Sequence, residues 1–282
     1  MDLKHTLTVI IISYNSYSVI RECLDSLCMS KRYRVIIIDN ASPDGSAKKL
    51  AESYPHVEVL NVQQNIGYGR AANLGFKRAT TDFAILLNPD VKASLAQIDQ
   101  LLSHALKCRK DTAVLAPLIG NQAALLTDAV PETVDWVSGC AMLFNLKILQ
   151  QVGFFDERIF LYFEETALFK SLLRSQFKIK LCRDVCLQHL EGQSSTSDSR
   201  LDLEITKAWH YGWSKAYYYA QYEPKNRKKR PLKQFCLYAL KSLMSQDREK
   251  RLMYKYRAGG VWAFIKKMEA FDAAGAPKKF TC

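Results

Sequence analysis

Three short apolar runs limit what this chain can fold into: Thr8–Ile12 (TVIII), Arg34–Ile38 (RVIII) and Phe83–Leu87 (FAILL). Each is too short for a helix and lacks the alternation of a half-wetted strand. Runs of this kind are strands buried on both faces. Helical spacing fills the gaps between them. Ile20, Cys23, Leu24 and Leu27 fall at i, i+3, i+4 and i+7, behind Asn15 or Ser16 as a cap. Ser46–Tyr54, Gly67–Ala79 and Leu95–Cys108 read as further helices, and Val57–Asn61 as a further strand. This alternation implies right-handed βαβ units: an α/β fold with a parallel sheet and helices on both faces.

The pattern changes after Cys108. Val114–Pro117 reads as a strand, 118–135 as a loop-rich stretch, and Trp136–Phe144 as one strand carrying a Ser138-Gly139 break. Ile148–Val152 and Glu165–Ser175 read as helices, Lys178–Val185 as a strand and Gly192–Ser199 as a polar loop. From about residue 201 the text is helical, basic and rich in tyrosine. Residues 201–282 hold 18 Lys and Arg against 7 Asp and Glu, a net +11, whereas 1–200 carry +1 of the total +12. Two regions are expected: a nearly neutral α/β domain over 1–200 and a basic helical extension over 201–282. Such an extension suits an anionic partner. Val261–Met268 mixes aromatics with lysines. It reads either as an interfacial helix on a membrane or as rings (Trp262, Phe264, with Tyr254) packed on the body beside solvated charges. No reader motif supports nucleic acid. No apolar run reaches the length of a spanning helix, and Met1–Thr8 lacks a signal-peptide pattern, so a cytoplasmic protein is expected. The eight cysteines are scattered; Cys182 and Cys186 have no second pair at zinc-module spacing, and reduced thiols are expected.

Polar groups cluster where strands end: Ser13-Tyr14-Asn15, Asp39-Asn40, Asn65, and Asn88 with Asp90. In a parallel sheet these ends share the edge where ligands bind. One polar residue there is usually a helix cap; four converging ends make the rim a nucleotide needs. An acid reads ribose or base, amides select, and a carboxylate holds a metal for the phosphates. Asn65-Ile66-Gly67-Tyr68-Gly69-Arg70 is glycine-rich but departs from Gly-x-Gly-x-x-Gly, and Arg70 faces either a phosphate or water. Asp156, Glu157, Glu164 and Glu165 lie among Phe154, Phe155, Phe160, Tyr162 and Phe163. Carboxylates beside rings suit a general base, or simply the start of a helix. His189 is either structural or folds back toward Asp90.

The ordered series resembles the inverting glycosyltransferases of family 2, in their rhamnosyltransferase-like branch. It consists of Ser13-Tyr14-Asn15, Asp39-Asn40-Ala41-Ser42, Asn65-x-Gly67-x-Gly69, Asn88-Pro89-Asp90, Val137-Ser138-Gly139, Gly153-Phe154-Phe155-Asp156-Glu157, Tyr162-Phe163-Glu164-Glu165 and His189-x-x-Gly192-x-Ser194. The resemblance spans roughly residues 6–195. It implies a GT-A fold, Rossmann-like with a mostly parallel central sheet, and a nucleotide-diphosphate sugar donor (dTDP-, UDP- or GDP-linked). Asp39 would read the base beside Ser13 and Asn15, with Asn65, Gly67, Arg70 and Asn88 as further donor contacts. Asp90, helped by His189, would hold Mg²⁺ or Mn²⁺. Glu165 would be the general base, with Glu164 or Asp156 as alternatives. The expected reaction moves a sugar, with rhamnose suggested, to a lipid-linked glycan of bacterial surface polysaccharide (O-antigen or capsule). The enzyme would sit at the cytoplasmic face of the inner membrane. The chain departs from the family pattern at Glu165 (usually Asp), Ala167, Ser171 and Arg183. The rival readings are a sugar nucleotidyltransferase and a non-catalytic carbohydrate- or lipid-binding scaffold.

Overall fold

The computed structural model describes residues 6–120, 130–190, 200–223, 225, 230–273 and 275–280. The first strand, β1 (Leu7–Ser13), is buried at every position. It is followed by α1 (Tyr17–Met29), β2 (Arg34–Asp39), α2 (Ser46–Ser53), β3 (Glu58–Asn61), α3 (Tyr68–Arg78) and β4 (Phe83–Leu87). Then come β5 (Val91–Lys92), α4 (Leu95–Lys107), β6 (Thr112–Ile119), β7 (Glu132–Val134), β8 (Ala141–Asn145), α5 (Leu146–Val152), α6 (Glu164–Arg174) and β9 (Lys178–His189). Three helices close the chain: α7 (Arg200–Tyr222), α8 (Arg230–Met244) and α9 (Arg248–Ile265). The chain divides into two compact units, one of residues 1–65, 71–154 and 168–196, the other of 66–70, 155–167 and 197–282.

The first unit is built on a sheet of order β3-β2-β1-β4-β8-β6-β9-β5, with β7 paired to β9. The strands β3, β2, β1 and β4 run parallel, as the alternation implies. β8 runs against both β4 and β6, and β6 and β9 are parallel again. Helices cover both faces. Val9 and Ile11 share a core with Ile20 and Leu24 of α1 and with Leu101 of α4. On the opposite face, a Cβ placed on Gly75 of α3 would lie 2.6 Å from the Ile10 side chain.

Several boundaries differ from the sequence reading. Trp136–Phe144 is not one strand: β8 starts only at Ala141. Ser138-Gly139 precede it in a turn that lets the Asn88 amide donate to the Cys140 carbonyl at 2.8 Å. β9 runs past Val185 to His189 by way of a bulge: its pairing with β6 jumps from Cys182 opposite Pro117 to Cys186 opposite Leu118. Proline offers no amide to a ladder, which favours an irregularity at that point. Ser16 stands at the N-cap of α1 but makes no side-chain cap bond; its hydroxyl donates to the Tyr14 carbonyl. The cysteines at 23, 28, 108, 140, 182, 186 and 236 are free thiols.

The second unit has an aromatic core. Trp209, Trp213, Tyr217 and Tyr218 of α7 pack with Ile159, Phe160, Ala263 and Phe271. The helices α7 and α9 cross closely: a Cβ on Gly212 would lie 2.1 Å from the Arg257 carbonyl, and one on Gly260 would lie 2.0 Å from the Trp209 carbonyl. The basic run at 227–229, the centre of the 118–135 loop and the Gly192-x-Ser194 motif lie outside the described residues.

Candidate active site

In the first unit, parallel pairing puts Ser13 opposite Asp39, and Asp39 opposite Asn61. Asp39 is fully buried. Its two oxygens accept from the Ser42 amide at 2.8 Å and the Ser42 hydroxyl at 2.7 Å. The same hydroxyl accepts the Asn15 amide at 2.8 Å, and the Asn40 amide donates to the Ser13 carbonyl at 2.8 Å. Asn40 Nδ2 donates to Asn65 Oδ1 at 3.0 Å. Asn15 (φ 53°) and Ala41 (φ 64°) hold left-handed backbone, a strained conformation that the surrounding bonds maintain. The two strand ends are thus knotted through Ser42, which the sequence reading used only as part of a motif. A carboxylate offers about four acceptor sites, so Asp39 keeps capacity for a ligand donor. Ser13 Oγ is buried and has no hydrogen-bond partner among the described residues.

The acid after β4 meets its histidine through a two-residue strand. Val91 pairs with His189 and Lys92 with Gln188. The Leu190 amide donates to the Asp90 carbonyl at 2.9 Å. This pairing brings His189 Nε2 to 3.0 Å from Asp90 Oδ1, and Asp90 is only 2% exposed. A carboxylate beside an imidazole suits Mn²⁺ better than Mg²⁺, which prefers oxygen alone. Two protein ligands also leave positions for water and phosphate oxygens. Half-buried Asn88 sits in the turn before Asp90, its carbonyl accepting the Val91 amide at 3.2 Å.

Among the described residues, the one cluster of three metal-capable side chains lies elsewhere: His104, Cys182 and Asp184. His104 Nε2 is 2.6 Å from Asp184 Oδ2, which also accepts Gln100 Nε2 at 2.9 Å, so the cluster ties α4 to β9. Burial pushes the Cys182 thiol up to about 12, so it is a protonated thiol and a poor ligand.

The glycine-rich segment and the acidic pairs belong to the second unit. Gly67 has φ 87°, and a Cβ there would lie 2.5 Å from the Phe160 carbonyl, so no other residue fits unstrained. Arg70 donates Nε to the Glu157 carbonyl at 2.6 Å, and its guanidinium lies 3.5 Å from the Phe271 ring centroid. Asp156 accepts Tyr217 Oη at 2.6 Å and Tyr222 Oη at 2.9 Å and contacts Arg158. Burial acts to raise its proton affinity, but those hydrogen bonds outweigh it and hold Asp156 below the ordinary carboxylate value. Asp156 is an anchor for α7 rather than a poised base.

Glu164 and Glu165 open α6, straight after Tyr162 (φ 67°) and Phe163 (φ 71°). Consecutive left-handed aromatics are costly, and strain of this kind concentrates at functional sites. Phe163 is held between Tyr211 and Tyr218. Glu164 is 4% exposed, and its Oε2 has no hydrogen-bond partner among the described residues. Burial, then repulsion from Glu165, raises the Glu164 pKa well above the ordinary value. Burial raises Glu165 as well. The structure therefore brings together Asp39, Asn15, Ser13 and Asn65; Asp90 and His189; and Glu164 and Glu165.

A mixed α/β sheet of this kind, with helices on both faces and a polar rim at its strand ends, is the GT-A architecture of glycosyltransferases. The chain belongs to glycosyltransferase family 2, whose model matches residues 8–163, and is a transferase. It is similar to an N-acetylglucosaminyl-diphospho-decaprenol L-rhamnosyltransferase of Mycobacterium tuberculosis, at 28% identity over 59% of this chain and 70% of that protein. Its fold matches Staphylococcus aureus TarS 1–349 in complex with UDP (TM-score 0.56, 14% identity, 93% of this chain and 92% of that one). It also matches the mannosyltransferase PcManGT from Pyrobaculum calidifontis in complex with GDP-Man and Mn²⁺ (TM-score 0.53, 15% identity, 93% and 87%).

Proposed function

We propose that this chain is a metal-dependent inverting glycosyltransferase. It takes a sugar, with rhamnose the first candidate, from a nucleotide-diphosphate donor and adds it to a lipid-linked glycan of bacterial surface polysaccharide. The observation that carries the reading is the pairing of buried Asp90 with half-buried His189, set by β5 on the sheet whose β1 and β2 ends bear the Asp39–Ser42–Asn15 knot. The relative's printed activity, on a decaprenol-linked diphosphate sugar, supports the acceptor class. The UDP, GDP-Man and Mn²⁺ of the structural neighbours support the donor and metal classes.

In this reading Asp39, with Ser13 and Asn15, holds the base, and Asn65, Gly67, Arg70 and Asn88 border the donor. Asp90 and His189 would hold a divalent metal, Mn²⁺ before Mg²⁺, and such an ion would supply positive charge to the leaving diphosphate. Glu165 takes the proton of the acceptor hydroxyl while that oxygen attacks the anomeric carbon from the face opposite the diphosphate. Burial and the neighbouring Glu165 raise the proton affinity of Glu164. Burial of Glu165 strengthens it as a base by destabilising its anion. The enzyme works at the cytoplasmic face of the inner membrane, adsorbed through the +11 region 201–282. No described helix is long and apolar enough to cross a bilayer.

The test is release of nucleoside diphosphate from dTDP-, UDP- and GDP-sugars with Mn²⁺ or Mg²⁺ and a polyprenyl-linked acceptor. Asp90→Ala is expected to abolish turnover. Full turnover by that variant would overturn the metal assignment.

A further inference from the structure

The outward face of α8 has the wrong composition for water. Its inward face is occupied: Tyr238 packs in a small core with Ala216, Ala258 and Val261, against which Phe235 and Tyr254 also lie. On the other side Leu232, Cys236, Leu237, Leu240, Leu243 and Met244 are all exposed, Leu243 by 84% and Met244 by 72%. On a helical wheel these six positions fall in one continuous arc of about 140°. Among the residues of α8 whose exposure is described, Lys233 and Lys241 are the charged ones on the exposed side, and α8 contains no acid. An exposed apolar face this continuous marks an interaction surface. Trp262, 43% exposed, borders it by packing on Phe235, their ring centroids 5.1 Å apart.

We propose that this face of α8 inserts into an anionic lipid bilayer, lying in the plane of the interface with its leucines below the headgroups. The proposal takes its setting from the membrane-surface reading above; its residues come from α8 alone. Charge selects the occupant. Lys233 and Lys241 at the face, within a region of net +11, complement anionic headgroups, and their long stems let the ammonium groups reach the phosphates while the leucines go deeper. A second copy is a poorer fit, because a two-fold contact through this face would set each lysine against the same cationic patch. The segment that sequence alone singles out for this role, Val261–Met268, is unsuited: Val261 and Ala263 are buried and Phe264 joins the aromatic core.

Insertion and adsorption differ in their response to salt. Screening strips an adsorbed basic surface, whereas buried leucines hold. The full-length protein is floated with phosphatidylglycerol/phosphatidylcholine vesicles at low salt and at about 1 M NaCl. A second aliquot carries an environment-sensitive dye on Cys236, with Cys236→Ser as the labelling control. Wild type is expected to float at both salts and the dye to shift to the blue on adding vesicles. Leu240→Ser/Leu243→Ser is expected to lose about tenfold in partitioning per leucine and to stay down at high salt. Leu243→Ser alone serves if the double variant misfolds. If salt releases wild type fully and the leucine variants bind as it does, insertion is overturned while adsorption stands. If wild type ignores every vesicle, both fall. If wild type is a dimer that the leucine variants split, the face belongs to a second copy and the proposal is overturned.

Discussion

The two glutamates at the start of α6 differ in burial, Glu164 being buried and Glu165 half-buried. Glu165 is expected to be the base, so Glu165→Gln should keep donor binding and lose about a hundredfold or more in kcat. Its raised pKa places the acid limb of kcat/KM above the ordinary value of 4.5, because the rate follows the deprotonated form. A pH profile that levels off below that value would assign the base elsewhere. Glu164 affects stability instead. Its folded pKa is raised, so the native state binds more protons than the unfolded chain between 4.5 and the folded value. Stability tied to Glu164 is complete below 4.5 and lost as pH rises through the folded pKa. Glu164→Gln should therefore melt above wild type at pH 8 and converge with it at pH 4, in thermal unfolding at both. Sequence located this pair by acids among aromatics. It did not disclose the left-handed Tyr162 and Phe163, because nothing local favours that conformation for bulky rings; tertiary packing on Tyr211 and Tyr218 imposes it. The clamp on Asp156 was equally hidden, since its tyrosines lie 61 and 66 residues away.

Elements with strong local signals were legible and those defined by a partner were not. The runs TVIII, RVIII and FAILL dictated β1, β2 and β4 because each is buried on both faces. β5 has two residues and no pattern of its own; it exists because the end of β9 pairs with it. The outward face of α8 was illegible for a different reason: apolar residues lie on both sides of the helix, and only packing on Ala216, Ala258 and Val261 decides which side is covered. Close approach at glycines gives two tests at this scale. Gly67→Ala puts a methyl against the Phe160 carbonyl on left-handed backbone and should destabilise by about 1–3 kcal/mol or more. Denaturant midpoints measure it, and an unchanged midpoint would mean that the loop yields. Gly260→Ala drives a methyl into the Trp209 carbonyl and should part α7 from α9 at similar cost, seen as altered tryptophan emission.

Taken whole, the chain joins a nearly neutral sheet-bearing unit to a helical unit that carries most of the charge. Composition sets the basic region apart from about residue 201, whereas the compact units do not part at a single point. The second unit recruits 66–70 and 155–167 as well as the C-terminal helices. Deleting 224–282 to test membrane attachment would remove α9 from its packing on Trp209 and Trp213, so lost binding would report damage to the fold. Limited proteolysis of that deletion is expected to cut α7 rapidly, whereas the intact chain protects it. A deletion variant as resistant as wild type would show that α7 stands alone.

The histidine beside Asp90 arrives 99 residues after it. During synthesis, then, the strands that bear the proposed nucleotide rim leave the ribosome long before the histidine proposed to complete the metal corner. A nascent chain ending near Arg174 holds every rim residue and no His189. It is expected to titrate weakly with Mn²⁺, whereas the finished chain binds it through the pair. With the metal assigned to this pair, its affinity would report that the last strand of the sheet is in place.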